Sequence, residues 1–269
     1  MKKLPLRLAP AILFIMAACS KSPAPAEPAV SANPGSLLSS PKVQPSSRPP
    51  VDETARSLSA AADPTVPLDR YTDLNALPGG MSLSYVVTAK APTPLSDDER
   101  LDRLSTPYHT ERDTFKRQEI AKSELPRVNS ALDEYRKQSY YSLPITSYSS
   151  QALSLTNLTL GAYLPASHSF PLVGYSGRCW GGSIRNPQGA VLHLDGSGPA
   201  CNLVVSDDAA ARAIESARAS RTLQLAGTAY VFIPLVERGT ANGSIVAAKI
   251  VLTDGAGRTA LGSFDLRGS

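Results

Sequence analysis

The sequence predicts an α+β fold, an N-terminal helical segment followed by a mainly antiparallel β-sheet with one inserted helix. Three observations carry this. Apolar residues recur at helical spacing up to about residue 137, and beyond Tyr140 they alternate at period two. One alanine-rich stretch interrupts the alternation. A single globular domain over 69–269 follows, because the Pro-, Ser- and Ala-rich residues before it hold too few large apolar groups to offset chain entropy.

Structure is expected to begin near Asp69-Arg70-Tyr71. Ser96-Asp97-Asp98-Glu99 has the capping-box pattern and predicts a short helix through about Leu104. A second helical start is read at Thr110. From there Ala121, Leu125, Val128, Leu132 and Tyr135 form one apolar stripe, and Pro126 should kink the run or divide it in two. Charges of both signs interleave densely between Asp97 and Lys137, as expected of i, i+4 pairing on a solvated face or of a polar docking surface.

Strands are predicted at 140–145, 153–164, 170–174, 182–185, 190–194 and 201–205, with Asn186-Pro187-Gln188-Gly189 as a turn. Ser206 should cap the inserted helix over 207–219. The longest strand spans 222–236, with Leu223, Leu225, Ala229, Val231, Ile233 and Leu235 on one face. Asn242-Gly243 and Asp254-Gly255-Ala256-Gly257 are the turn signals that would complete a three-strand meander with 244–253 and 259–266.

Chemical motifs are sparse. The three histidines, His109, His168 and His193, form no metal-ligand spacing, and no metal or other cofactor is expected. His193 lies two residues from Asp195, and Ser176 or Ser197 could complete a nucleophilic set. However, Gly174-Tyr175-Ser176-Gly177 is not the nucleophile-elbow motif, so no catalytic residue is assigned. Gly255, Gly257 and Ala260 match a dinucleotide fingerprint as text, but the nine residues that follow leave no room for its helix and second strand. Three carboxylate pairs, Asp97-Asp98, Asp133-Glu134 and Asp207-Asp208, fall where helix capping or solvation accounts for them.

At the N-terminus, Lys2, Lys3 and Arg7 precede an apolar run that ends in Met16-Ala17-Ala18-Cys19. The run is shorter than the roughly 20 residues a membrane span needs, so 1–18 reads as a signal peptide. Residues 16–19 resemble the lipobox of bacterial lipoproteins, with Met16 where Leu is usual. That resemblance implies lipidation of Cys19 after cleavage, and Ser20 implies the outer-membrane form. Residues 19–68 then form a disordered tether with a span of about 40 Å. Phe115-x-Arg117-x-Glu119 and the stretch from Tyr163 to Phe170-Pro171-Leu172 resemble uncharacterised lipoprotein domains of Gram-negative bacteria, which implies no mechanism. Loss of the three leader cations from 27 Lys plus Arg, against 23 Asp plus Glu, leaves a nearly neutral mature chain with no electrostatic case for nucleic acid.

In an oxidising compartment Cys179 and Cys201 predict a disulfide, the alternatives being two free buried thiols or metal ligands. Trp180 beside them is either a buried ring or an exposed aromatic anchor. With Gly181 and Gly182 it marks the expected partner-binding surface. The function expected is non-enzymatic: a lipoprotein on the periplasmic face of the outer membrane that binds a protein partner, as an envelope accessory factor or an inhibitor. An envelope hydrolase with a site built from scattered residues, or a structural spacer between membrane and cell wall, are the alternatives.

Overall fold

The computed structural model describes residues 61–146, 151–174, 177–255 and 259–268. The signal peptide, Cys19, most of the tether, Ser176 and Gly257 lie outside the described residues. What is described is α+β, with a mixed sheet and several helices.

Packing starts before residue 69. Val66 and Leu68 lie against Tyr71, Tyr140, Tyr230 and Ala247, and the Asp63 N–H donates to Tyr140 Oη at 2.8 Å. A short extended piece, β1 (Thr72–Asp73), follows. Then comes α1 (Met81–Ala89), a helix for which the sequence carried no signal. Its Tyr85-Val86-Val87-Thr88 run favours strands, and burial from Ser82 to Ala89 removes any polar face. Leu83, Val86 and Val87 enter the main core, while Tyr85 and Ala89 enter a second cluster among the helices.

Helix α2 (Asp97–Leu104) has the predicted capping box in full. Thr110 does not start the next helix. It ends a short one, α3 (Thr106–Thr110), and α4 (Thr114–Lys137) is capped instead by Asp113, which accepts from the Phe115 and Lys116 N–H groups. Helix α4 also runs unbroken through Pro126. The proline is exposed, and the helix tolerates both its missing N–H and the crowding of its ring against the carbonyl four residues back.

The large sheet combines β2 (Tyr140–Thr146), β5 (Gly181–Arg185), β6 (Val191–Asp195), β8 (Leu223–Glu237), β9 (Thr240–Asp254) and β10 (Thr259–Arg267) with β1. Its order is β1-β2-β8-β9-β6-β5, with β10 also on β9. β9 serves two neighbours along one flank: 240–243 pair in parallel with β6, and 247–254 pair antiparallel with β10. A smaller sheet holds β3 (Thr159–Leu160), β4 (Ser169–Val173) and β7 (Asn202–Val204). Only a small part of the expected 153–164 strand is therefore extended ladder. Helix α5 (Asp208–Ala219) begins one residue later than expected, with Asp207 rather than Ser206 as its cap.

The meander formed, but its first turn moved. The chain reverses at Arg238 and Gly239, both at positive φ, and Asn242-Gly243 lies inside β9. A side chain at Gly243 would stand 3.0 Å from the Phe232 carbonyl, so close strand approach rather than turning explains the glycine. Pro234 sits where the β8/β9 register slips between Phe232 and Leu235. The slip turns Val236 inward in place of Leu235.

Candidate functional site

The site is built on the β5–β6 hairpin at one end of the large sheet. Asn186, in the predicted turn, ties that hairpin to α1: its Nδ2 donates to Gly80 O at 3.0 Å and Ser84 Oγ at 2.8 Å, while its Oδ1 accepts from the Ala190 N–H. This buried amide has its donors and acceptor paired, so it fixes the hairpin without an orphaned polar group.

The cysteine prediction holds: Cys179 and Cys201 are joined in a disulfide, with Cα atoms 6.0 Å apart. Cys201 O accepts from the Leu172 N–H, so the bond links the small sheet to the start of β5. Trp180 requires a correction. Its indole is fully buried and donates from Nε1 to Pro199 O at 2.8 Å. An exposed aromatic anchor is therefore not present, because the ring's apolar surface and its one polar atom are both satisfied inside. Gly181 and Gly182 beside it are partly exposed and line open space.

Two clefts meet at residues 181–183. One, of about 260 Å³, lies between β5 and the segment 152–157, with Leu155, Cys179, Ile184 and Leu194 in its wall. The other, of about 480 Å³, opens toward Arg178, His193 and Asp195. Asn157 lines both. The 152–157 wall is itself held in place: Asn75 bonds both backbone groups of Leu153, and Leu155 exchanges hydrogen bonds with the β2 edge through Thr146 N–H and Pro144 O. The segment thus pairs with β2 on one side and faces β5 across a gap on the other.

β5 pairs with β6 alone. The Asn186 N–H donates to Ala190 O at 3.0 Å, which identifies 186/190 as a hydrogen-bonded pair of the antiparallel ladder. Counting back through the register, Ile184/Leu192 and Gly182/Leu194 are bonded pairs. Arg185, Ser183 and Gly181 lie at the intervening positions, so their N–H and C=O groups point away from β6, and of the three Gly181 and Ser183 line the groove. The contact of Ser183 Oγ with His193 Nδ1 at 3.2 Å fits this phase, since side chains approach most closely at non-bonded pairs. Among the described residues no backbone group pairs with these three outward positions.

The nucleophilic set considered from sequence is not assembled. Asp195 Oδ1 accepts from the N–H and Oγ of Ser197 rather than from His193. His109 meets Asp102 on an exposed helical surface, and His168 meets Tyr163 Oη. No group of residues suited to a metal ion occurs among the described residues, nor does any helix long and apolar enough to cross a membrane. Arg178 and Ser183 were not singled out by sequence. The available signal was a glycine pair opening a short strand that ends at a strong turn. Compared with protein families, curated proteins and solved structures, the chain matches none.

Proposed function

We propose that this chain is a non-enzymatic, lipid-anchored binding protein of the periplasmic face of the outer membrane, and that it holds an extended segment of a protein partner along β5. The lipobox-like residues ending at Cys19 support the anchor. The observation that carries the binding reading is the row of outward backbone groups at Gly181, Ser183 and Arg185, the first two of them beside an open groove. Such a row is a template for one more strand, where main-chain bonds give affinity and neighbouring pockets give specificity. Natural sheets usually cover or blunt this kind of edge. Here the 152–157 wall flanks it and leaves a gap beside it.

The test uses the full chain in its own envelope with a photoreactive residue at Asn157, which lines both clefts. A discrete crosslinked product is expected, and it should vanish when Ser183→Pro removes one outward N–H while sparing the ladder to β6. A product unaffected by Ser183→Pro would refute strand capture. The hydrolase reading rests on the Ser183–His193 contact. It would displace this proposal if a serine-directed fluorophosphonate labelled Ser183 in the folded protein.

A further inference from the structure

Resting on strand capture at β5, we infer that the captured segment is a lone strand of alternating character, with an aliphatic side chain seated beside Gly182 and polar side chains on the opposite face. Gly182 and Ile184 stand opposite Leu194 and Leu192 in the ladder, and opposite residues share a face. Leu192 and Leu194 are each only 1% exposed, so this is the core side of β5. Gly182 interrupts that layer. A side chain there would meet nothing within 4 Å, and its φ of 152° is one that side chains rarely adopt, so the chain leaves this space unfilled. Apart from Ser154, the buried residues lining the smaller cleft are apolar, Leu155, Cys179 and Leu194, while Thr156 and Asn157 are exposed.

A strand bonded to Gly181 and Ser183 turns its residues opposite Gly182 and Ile184 to the core side and the alternate ones to the other face. That other face carries the exposed Ser183, His193 and Asp195. Arg178 and Asp195 line the second cleft with opposite signs, so this face asks for polarity and for no particular charge. The shape of the site selects a single strand. Leu155 pairs with Ile145 of β2, and its segment faces β5 across the cleft, so two flanks of the sheet approach each other with a gap between them. A slot walled on both sides admits one extended chain, whereas the β5 edge of a second copy brings its own β6 toward the 152–157 wall. At about 260 Å³ the smaller cleft also falls below the roughly 300–1,000 Å³ of small-molecule sites, which suits a side chain rather than a free ligand.

Fluorescence anisotropy on the full chain decides this, with labelled threonine peptides carrying two leucines that are either separated by one threonine or adjacent. The separated pair puts both leucines on the core side and should bind about 10-fold more tightly, since the adjacent pair turns one leucine to water. Photo-leucine in place of a leucine of the separated pair should crosslink to Leu155, Ile184 or Leu194. Crosslinks to His193 or Asp195 instead would overturn the assigned faces. Equal binding of both peptides, abolished by Ser183→Pro, would overturn the alternation and leave strand capture standing. Binding of neither peptide, or binding that survives Ser183→Pro, would overturn both. A dimer in solution that Ser183→Pro dissociates would assign the edge to a second copy and overturn the inference.

Discussion

Trp180 sits where its indole both fills the core and meets Pro199 O, and a side chain at Gly198 would stand 2.7 Å from Cδ1 of that ring. Trp180→Ala should therefore cost about 3–5 kcal/mol in chemical denaturation, with the indole of the wild type shielded from aqueous quenchers. Lost partner binding in that variant would report unfolding rather than contact. A second residue couples helices. Glu124 pairs with Arg127 and accepts from Ser105 Oγ at 2.7 Å, and the Arg127 guanidinium first, then the hydroxyl, hold its carboxyl below the ordinary value of 4.5. Because the folded pKa is depressed, this contribution is complete above the unfolded value and is lost as pH falls through the folded one. Glu124→Gln should be about 1 kcal/mol less stable than wild type at neutral pH, with the gap closing in acid; a gap that persists there would contradict the assignment. At this scale the sequence revealed the cysteine pair through compartment and parity. It could not place Trp180, because an indole beside glycines fits the interior and the surface equally well.

Among the elements, those with local signals were legible. The capping box of α2, the stripe buried by α4 at Val128 and Leu132, and the Asn186–Gly189 turn all depend on residues close in sequence. Helix α1 was not legible, since tertiary burial overrides its β-branched composition. The Asn242-Gly243 turn failed for a related reason, as a glycine required by strand contact looks the same as one required by a bend. Pro126 gives the clearest energetic test. It is an exposed proline in the middle of a continuous helix, so Pro126→Ala should stabilise the protein by about 1–3 kcal/mol in thermal unfolding. A destabilised variant would mean that the ring makes a contact α4 needs. The segment 61–68 makes a complementary prediction. A chain beginning at residue 69 should be less stable than one beginning at 61 by about 1–3 kcal/mol, and so melt lower, because it loses Val66, Leu68 and the bond from Asp63 to Tyr140. Equal melting would return those residues to the tether.

Across the whole molecule the disulfide joins the small sheet to the edge hairpin, and it should contribute about 3 kcal/mol through its separation of 22 residues. Reduction should lower the unfolding midpoint, and an unchanged midpoint would remove this role. The groove itself was only partly legible. Its glycines and cysteine were found from sequence, but the facing wall at 152–157, the pairing of Leu155 with β2 and the phase of the β5 ladder are long-range consequences of topology. Amide hydrogen exchange, residue by residue, with and without the captured partner tests strand capture most directly. Protection should rise at Gly181, Ser183 and Arg185 and stay nearly constant at Gly182 and Ile184, which are already bonded to β6. Protection that rises uniformly along β5, or not at all, would contradict the account.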